Sequence, residues 1–554
     1  MITEPAATIT ELADARNLEI AGKTPSVQGL TDLAVKHGVC VRPVLQRLID
    51  TTTGETRIVP IPCGTTRADR CPPCADRNRK LRMTQCREGW HLEDEPETDD
   101  HDTTEDADED EDQGNDGDGD GGADDDQDRR VRSTRRRQDV PDLPKGDRRD
   151  GTVARQLTSP NGNSYRPSMF FTVTLGSYGP VHAESGRCRC GEHHRPGSPL
   201  AGMPLFPHRY DYRRAALDVL HFGKLVDRLW KNLRRVAGFE MQYFATVEPQ
   251  RRGAMHLHVA TRGAMTGSLL REVVAATYHQ LWWPPHDTPV YTDPARMPIW
   301  NADLGAFVDR STRRPLPTWS EALDAVDADP AARPAHVSRF GPQVDHKWLL
   351  AGSDRTERVI GYLCKYLTKS VSDTLSGEDD HDPAAVARTH HLDRLHAQVR
   401  TLPCSDECAN WLRYGVQPKG ANGKITAGHC RRKAHRRENL GYGGRRALVS
   451  RRWTGKTLTE HRADRAEVVR QVLTAAGIDM PDPDEYSANA PDETGQPRYR
   501  WEVVKLEDPD RPSYVDIVGP AVNQRHRWRV QYDEAKRAGP VINSATAAMT
   551  TKGR

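Results

Sequence analysis

Apolar positions between about residues 170 and 370 follow a pattern that predicts a sheet with helices packed on it. Residues 170–175 (FFTVTL) are β-branched and aromatic, which is typical of a buried strand. Residues 212–236 carry apolar side chains at helical spacing among Arg and Lys, which predicts an amphipathic helix. Two further strands are predicted at 242–248 and 255–261, joined through the turn-rich residues 249–253.

Two more helices are predicted at 268–279 and 357–370. Strands interleaved with helices around a central hairpin predict an α+β fold, with an antiparallel sheet of ferredoxin-like or RRM-like type and helices on one side. No repeat of 20–50 residues is apparent.

The composition changes along the chain and predicts six segments. We expect a partly disordered N-terminus (1–37), a zinc-ribbon-like cysteine module (38–90), an acidic and Arg-rich disordered linker (91–158), the sheet domain (159–380), a second zinc module with a basic DNA-contact region (381–477) and a mostly flexible C-terminal region (478–554). The linker holds too few apolar residues to offset the entropy cost of ordering it.

The formal net charge of +1 hides an uneven distribution. Residues 93–128 hold 21 acidic residues and no Lys or Arg, so the rest of the chain carries 80 basic residues against 58 acidic ones. A basic surface of this kind favours a polyanionic partner such as DNA. We expect the acidic tract to be a solvated spacer, while mimicry of nucleic acid or shielding of the basic surface stays open.

Size and hydropathy indicate several domains and exclude a membrane protein. The chain has 554 residues and a mass of 62.1 kDa, its mean hydropathy is −0.77, and no apolar run reaches the roughly 18–20 residues that a bilayer span needs. The first residues are acidic where a signal peptide is basic and apolar. Eleven cysteines, an odd number, favour thiols and metal ligands over a disulfide framework. We therefore expect a cytoplasmic protein.

Two histidines at alternate positions of a predicted strand are the first candidates for chemistry. His256 and His258 would point to the same face, and the preceding strand ends at Glu248, whose carboxylate the hairpin would bring alongside. Imidazole and carboxylate ligands with open positions suit a divalent ion that also binds substrate oxygens. Because His-x-His occurs about once by chance in a chain of this composition, packed or solvated histidines are an equal alternative.

A tandem Y-x-x-K motif is more specific. Tyr362 and Tyr366 are four residues apart, and each is followed at three residues by a lysine, Lys365 and Lys369. On a helix, positions i and i+4 share a face, so the two hydroxyls would emerge side by side. A tyrosine can attack a phosphodiester and later leave it, and ammonium groups can hold phosphate oxygens. The alternative is aromatic packing on a helix, with lysine stems lying along its surface.

Two sets of residues resemble structural zinc sites. The first cysteine group is Cys40, Cys63, Cys71 and Cys74, and the second cysteine group is Cys404, Cys408, Cys430 and His435. Each offers four soft ligands at spacings compatible with tetrahedral Zn²⁺. Cys86 could enter the first group, and His429 could replace His435 in the second. Such closed sites supply folding energy and no chemistry.

Three other motifs stay open or are rejected. Cys188, Cys190, His193 and His194 lie in a Gly- and Pro-rich stretch after the first strand, which we expect to be an inserted loop that binds a metal or does not. Residues 453–457 (WTGKT) lack the first glycine of a phosphate-binding loop, because Ser450 stands there, so no nucleotide site is expected. Residues 443–446 (GGRR) and 451–456 (RRWTGK) either contact DNA phosphates or form a solvated basic face.

Three of these motifs, in this order, resemble those of HUH endonucleases that initiate rolling-circle replication. They are FFTVTL, then Glu248 with HLH at 256–258, then YLCKYLTK at 362–369. The flanking sequence is similar to RepSA-type initiators of actinobacterial plasmids and integrative elements, on YDYRRAALDVLHFGKLVDRLWKNLRR, QYFATVEPQRRGAMHLHVA, VIGYLCKYLTKS, PCSDECANWLRYGVQP and LGYGGRRALVSRRWTGKTL. This resemblance runs from about Cys40 to about Gly477, outside the acidic linker.

The resemblance implies an HUH-type fold for residues 159–380 and a metal-dependent DNA endonuclease and strand transferase. His256 and His258, with Glu248 as the third ligand, would hold Mg²⁺ or Mn²⁺ at the scissile phosphate of single-stranded origin DNA. A tyrosine would attack and leave a 5′-phosphotyrosyl bond and a free 3′-OH primer. The two tyrosines would alternate between the start and the end of the cycle, with Tyr362 ranked slightly ahead of Tyr366.

The same resemblance implies that Lys365 and Lys369 position phosphate, that the protein binds the double-stranded origin, and that a host helicase unwinds the duplex. A conjugative relaxase or a single-strand transposase shares the core motifs and is the alternative within this chemistry. The alternative from another class is a non-enzymatic, zinc-containing DNA-binding regulator, in which the histidines and tyrosines only pack.

Overall fold

The computed structural model describes residues 26–90, 92, 137–149, 151, 157–158, 164–350, 353–372, 383–475 and 495–537. The acidic tract, most of the 91–158 linker and both ends of the chain lie outside these residues, and so do the expectations for them. The six segment boundaries stay predictions.

The strands are numbered in chain order. They are β1 (Val44–Asp50), β2 (Thr56–Ile61), β3 (Leu157–Thr158), β4 (Ser164–Tyr165), β5 (Pro167–Leu175), β6 (Gly186–Arg187), β7 (His193–His194), β8 (Tyr243–Pro249), β9 (Met255–Arg262), β10 (Tyr278–Leu281), β11 (Ile299–Asn301), β12 (Ala306–Val308), β13 (His336–Leu350), β14 (Ala447–Val449) and β15 (Tyr499–Val503).

The helices are numbered in the same way. They are α1 (Val27–His37), α2 (Pro72–Trp90), α3 (Tyr212–Leu220), α4 (Phe222–Ala237), α5 (Gly267–Ala275), α6 (Trp319–Ala328), α7 (Asp354–Leu363), α8 (Pro383–Thr401), α9 (Leu458–Ala475) and α10 (Tyr514–Arg537). The chain is therefore mixed α+β.

The first of two compact units comprises Met1–Gln85, His101–Asp110 and Lys456–Arg554. Its described part contains an antiparallel sheet in the order β15–β1–β2. Helices α1 and α10 pack together through a small apolar cluster that includes Leu30, Ala34 and Val518. Helix α1 ends at Gly38, whose φ of 72° is in the left-handed region that favours glycine. This sharp ending leads the chain directly into Cys40.

The second unit comprises Cys86–Asp100 and Glu111–Gly455. Its centre is a six-stranded sheet in the order β10–β13–β5–β9–β8–β14, in which every neighbouring pair is antiparallel. The two strands of the predicted hairpin, β8 and β9, begin and end within one residue of the expected positions.

One face of this sheet carries the hydrophobic core. Phe171 and Val173 of β5 and Leu257 of β9 are fully buried and pack with apolar side chains of α3, α4, α5 and α8. Because side chains alternate along a strand, the intervening residues of β5, Thr172 and Thr174, lie on the other face. This second face holds the candidate chemistry.

The structure differs from the expected helices at two points in the core layer. The amphipathic run 212–236 forms two helices, α3 and α4, which meet at the buried His221, whose φ of −104° and ψ of 10° are not helical. The helix expected at 268–279 ends at Ala275, and its last residues belong to β10 instead. Helical periodicity was thus correct, but it did not indicate where the chain turns.

The expectation that helices occupy one side of the sheet is wrong for α7. This helix lies against the second face, where Tyr362 contacts His258. Arg87, near the end of α2, forms a bidentate ion pair with Glu357 of α7, with both N–O distances 2.7 Å. Helix α7 is therefore held in place by a neighbour that the sequence pattern does not reveal.

Candidate active site and metal sites

Strand register brings Glu248, His256 and His258, here called the sheet trio, onto the second face of the sheet. Glu248 of β8 is directly opposite His256 of β9. His258 follows two residues later and shares the face because side chains alternate. The hairpin therefore brings a carboxylate and two imidazoles together.

His258 is the centre of a hydrogen-bond network. Its Nε2 lies 3.1 Å from Oε2 of Glu248 and 3.3 Å from the hydroxyl of Tyr362. Its Nδ1 lies 3.0 Å from the hydroxyl of Thr172 on β5. The ring is 4% exposed and stacks against Phe170, with centroids 6.1 Å apart. Nδ1 thus contacts a threonine hydroxyl, and Nε2 contacts both a carboxylate and a phenol.

His256 has partners of its own. Its Nδ1 lies 2.6 Å from the hydroxyl of Thr174 and 3.1 Å from the amide nitrogen of Gln250 in the β8–β9 turn. Burial, followed by the neighbouring His258 and Arg252, lowers the pKa of His256 to about 3. The imidazole is therefore neutral at physiological pH, which is the form that binds metal ions.

The sheet trio is an open arrangement. In the part of the chain that the structure describes, the groups whose ligand atoms all lie within 4.8 Å of one another do not include it. Glu248 already pairs with His258, and the rings of His256 and His258 are 4.4 Å apart between centroids. Glu248 and His258 are in contact, and His256 lies beside them with its Nδ1 bonded to other partners.

Tyr362 lies at the end of α7, next to His258. Its side chain is 44% exposed, and the edge of its ring meets Phe170 with centroids 6.4 Å apart. Partial burial, followed by the charge of Glu248 and the neighbouring Tyr366, raises the pKa of Tyr362 to about 12. The phenol is therefore protonated near neutral pH, and its hydroxyl remains accessible from solvent.

Tyr366 does not share a helix face with Tyr362, which corrects the expectation from the tandem motif. Helix α7 ends at Leu363, and residues 364–369 form turns closed by hydrogen bonds from Lys365 N to Tyr362 O and from Lys369 N to Tyr366 O. The ammonium group of Lys365 lies 5.0 Å from the centroid of the Tyr366 ring. Lys365 and Lys369 are both exposed.

Arg446 binds the turn that follows α7. Its guanidinium donates to the carbonyls of Val247, Lys369 and Tyr366, at 2.6, 3.0 and 3.3 Å. These bonds tie the turn that follows α7 to strand β8. The sequence suggested that Arg446 contacts DNA phosphate, whereas its donors are directed to the main chain of the protein.

Three groups of Cys and His side chains have ligand atoms within 4.8 Å of one another. They are the first cysteine group (Cys40, Cys63, Cys71, Cys74), the second cysteine group (Cys404, Cys408, Cys430, His435) and a third group, here called the loop group (His182, Cys188, Cys190, His194). Each could hold a metal ion such as Zn²⁺, because four sulfur and nitrogen donors suit its tetrahedral geometry.

The first cysteine group is assembled from the ends of three elements. Cys40 follows α1, Cys63 follows β2, and Cys71 and Cys74 flank the start of α2. A hydrogen bond from Cys74 is the largest cause that lowers the pKa of Cys40, to about 5. A thiolate therefore forms readily at this position, as metal ligation requires.

The second cysteine group is supported by a carbonyl and an aromatic cluster. The Nδ1–H of His435 donates to the carbonyl of Val399 at 2.7 Å, and its Nε2 lies 3.5 Å from Sγ of Cys408. Such a bond fixes which nitrogen faces the ligand site. The fully buried Trp411 and the adjacent Trp319 pack directly on these cysteines.

Two alternatives considered from the sequence are not realised. Cys86 is buried, and the first cysteine group consists of the other four cysteines without it. His429 is exposed, and the second cysteine group contains His435. In the loop group, His182 stands where His193 had been considered, and His193 is exposed.

Several site residues could not be singled out from motifs. Phe170, Thr172 and Thr174 surround the two histidines, and the signal was present in the alternation of FFTVTL, whose threonines point away from the core. The sequence pattern gave no such signal for Gln250 or His182, because a turn and a loop bring these residues to their partners.

Comparison with known proteins identifies the family of this chain. The family model described as "Replication initiator protein, pSAM2" (RepSA) matches residues 26–514. A replication initiator protein from Streptomyces ambofaciens is 31% identical over 39% of this chain, and the match spans 47%, about half, of that relative. No solved structure matches. Among the described residues, every helix is too short or too polar to cross a membrane.

The mixed α+β sheet unit with its clustered Cys and His side chains therefore belongs to a class of DNA replication initiators. The chain is a member of the RepSA replication initiator family.

Proposed function

We propose that this protein starts rolling-circle replication of a plasmid or integrative element by nicking single-stranded origin DNA with Tyr362. The attack forms a bond between the phenolic oxygen and phosphorus and breaks the bond to the 3′ oxygen, which takes up a proton. The products are a 5′-phosphotyrosyl adduct and a 3′-OH primer. The observation that carries this proposal is the 3.3 Å contact between the Tyr362 hydroxyl and His258, in a chain that belongs to an initiator family.

Tyr362 is the better candidate for the first attack. Its hydroxyl lies beside the sheet trio and is partly exposed, so a DNA strand can reach it. Tyr366 lies in the following turn, which Arg446 fixes to β8, and it is the candidate for the second attack, at termination. The exposed ammonium groups of Lys365 and Lys369 would bind phosphate oxygens near the two hydroxyls.

The sheet trio fits Mg²⁺ or Mn²⁺. Thr172 and Thr174 engage Nδ1 of the two histidines, which leaves Nε2 of each for an ion, and Glu248 supplies a carboxylate oxygen. When bound, such an ion polarises the scissile phosphate and stabilises the charge that develops on its oxygens. To bind one ion, the ligand atoms of the trio have to move closer together, and the rings of the two histidines are only 4.4 Å apart between centroids.

The two cysteine groups have a different part in this proposal. Each holds one Zn²⁺ that stabilises its module and takes no part in the reaction. The modules and the basic surface would bind the double-stranded origin, and a host helicase would unwind the duplex.

A cleavage assay on denaturing gels tests the proposal. Single-stranded oligonucleotides that tile candidate origins are labelled at the 3′ end and incubated with Mn²⁺ and the full chain. The expected product is an SDS-resistant, protein-linked fragment, which is absent with a chelator. The same oligonucleotides labelled at the 5′ end should give a shorter fragment that a polymerase can extend.

Matched tyrosine variants assign the roles. Tyr362→Phe should lose the adduct, Tyr366→Phe should keep it, and the double variant should lose it. Adduct formation by the double variant would show that neither tyrosine is the nucleophile. Loss of the adduct in Tyr366→Phe alone would reverse the order in which the two tyrosines act. A protein that shifts native DNA but never forms an adduct would be a DNA-binding regulator. Adducts formed only on transfer-origin or transposon-end substrates would indicate a relaxase or a transposase.

A further inference from the structure

The segment from Tyr178 to Pro204, between β5 and α3, contains ligand-type side chains for which the nicking reaction has no use. His182, Cys188, Cys190 and His194 form the loop group, and their ligand atoms all lie within 4.8 Å of one another. Nδ1 of His182 is 3.3 Å from Nε2 of His194, and Sγ of Cys190 is 3.4 Å from the same Nε2. Sγ of Cys188 is 3.7 Å from Nδ1 of His182.

We propose that the loop group binds a Zn²⁺ ion, which fastens this segment to the turn that joins Glu248 and His256. The proposal concerns metal occupancy and does not depend on the nicking chemistry. Two thiolates and two imidazoles are a donor set that selects Zn²⁺ over Mg²⁺ or Mn²⁺, which prefer oxygen ligands.

The main chain around the loop group is organised as a metal knuckle. The backbone N–H of Ala183 donates to Sγ of Cys188 at 3.4 Å. A tight turn is closed by hydrogen bonds from Gly191 N to Cys188 O and from Cys188 N to Glu192 O, and Gly191 has a φ of 98°. The short strands β6 and β7 pair on either side of this turn. The turn thus brings both cysteines and His194 to one point without help from a hydrophobic core.

The hydrogen-bond partners of the ligands also fit an ion. The hydroxyl of Ser198 lies 3.4 Å from Nδ1 of His194, which leaves Nε2, the atom nearest Cys190 and His182, for the metal. A hydrogen-bond partner on the second ring nitrogen is characteristic of metal-bound histidine.

The same residues lead to the candidate active site. The carbonyls of Ser198 and Pro199 accept from the guanidinium of Arg251, at 2.8 and 3.4 Å, and Arg251 lies in the β8–β9 turn. Arg388 of α8 donates to the carbonyl of Pro199 at 3.2 Å. An ion that holds His194 therefore also holds the carbonyls that anchor this turn between two members of the sheet trio.

The three groups together use nine of the eleven cysteines, and the other two, Cys86 and Cys364, are buried.

Zinc content measured by mass spectrometry on the full chain is the first test. Cys188→Ser/Cys190→Ser should lose one equivalent of zinc per chain relative to the wild type. His193→Ala, which removes the exposed histidine next to His194, is the matched control and should lose none. Equal zinc content in the double variant and the wild type would overturn the proposal.

A second measurement uses the wild-type protein and so does not depend on how a variant folds. Cys190 is exposed, and a free thiol there would be alkylated at once under reducing conditions. We expect Cys188 and Cys190 to resist iodoacetamide in the zinc-loaded protein and to react after chelation. Immediate alkylation of Cys190 in the loaded protein would show that it is not a ligand.

Limited trypsin digestion tests the fastening. Arg187 and Arg189 are exposed within the knuckle. Cleavage after either residue should be slow in the wild type and in His193→Ala, and at least several-fold faster in Cys188→Ser/Cys190→Ser. Unchanged cleavage in a double variant that has lost its zinc equivalent would show that the ion does not hold the segment.

Discussion

The sheet trio and the second cysteine group are both sets of ligand-type side chains in the same unit, but they are built in opposite ways. The ligand atoms of Cys404, Cys408, Cys430 and His435 converge within 4.8 Å and are covered by tryptophans. The sheet trio is spread along two paired strands, with a half-exposed tyrosine beside it. A closed site stabilises its module, whereas an open site leaves positions for a substrate. The closed ligand set is thus expected to act in folding and the open set in the proposed reaction, and four experiments test this difference.

The largest effect is expected in the second cysteine group. His435→Ala should lose one equivalent of zinc and unfold the surrounding module, because the free energy of binding structural zinc, on the order of 10 kcal/mol, is also folding free energy. The buried Trp411 reports this as a red shift of tryptophan fluorescence. His429→Ala is the matched control and should behave as the wild type. If both variants keep their zinc, this site is not a closed metal centre.

His258→Gln should act on chemistry and leave folding nearly unchanged. Removal of this imidazole takes away a proposed metal ligand and the partner of Tyr362, so adduct formation should fall by more than the ~10–100-fold expected for a supporting hydrogen-bond partner. Zinc content should be unaffected, and the melting temperature should change by only a few degrees. A variant that nicks at the wild-type rate would exclude His258 from the reaction.

Thr172→Val tests whether the threonine hydroxyl orients His258 in the sheet trio. The variant keeps the shape of the side chain and removes the hydroxyl bonded to Nδ1 of His258. We expect the Mn²⁺ concentration for half-maximal nicking to rise by about 10–100-fold, with recovery of the rate at saturating Mn²⁺. A lower maximal rate with an unchanged Mn²⁺ requirement would argue that Thr172 does not orient a ligand.

Arg446→Lys should have the smallest effect, about tenfold on adduct formation. A lysine cannot donate to three carbonyls at once, so the turn with Tyr366 would loosen from β8. DNA affinity and its salt dependence should stay as in the wild type, because Arg446 is a positioning residue. Arg445→Lys, at the exposed neighbouring position, is the control. Weaker DNA binding by Arg446→Lys would instead support the interpretation that Arg446 contacts DNA phosphate.

The local pattern was sufficient for the elements that depend on residues close in sequence. The composition of FFTVTL predicted one strand of the sheet, and the positions of Glu248, His256 and His258 predicted the hairpin and the residues that share its face, because strand periodicity fixes facing directly. The clustered spacings of Cys71 with Cys74 and of Cys404 with Cys408 likewise indicated ligand pairs within single turns.

Other features were decided by contacts between residues far apart in the chain. Tyr366 lies in a turn beyond the end of α7, and Arg446, 80 residues later, binds its carbonyl. His182 lies within reach of the cysteines, whereas His193 is exposed, so His182 and not His193 joins the loop group. The amino-acid sequence alone determined three strands of the central sheet, the family and most of the metal-binding candidates, since these follow from residue patterns and short spacing. Only the tertiary structure decided where helices end and which ligands meet, because those outcomes depend on hydrogen bonds between distant segments.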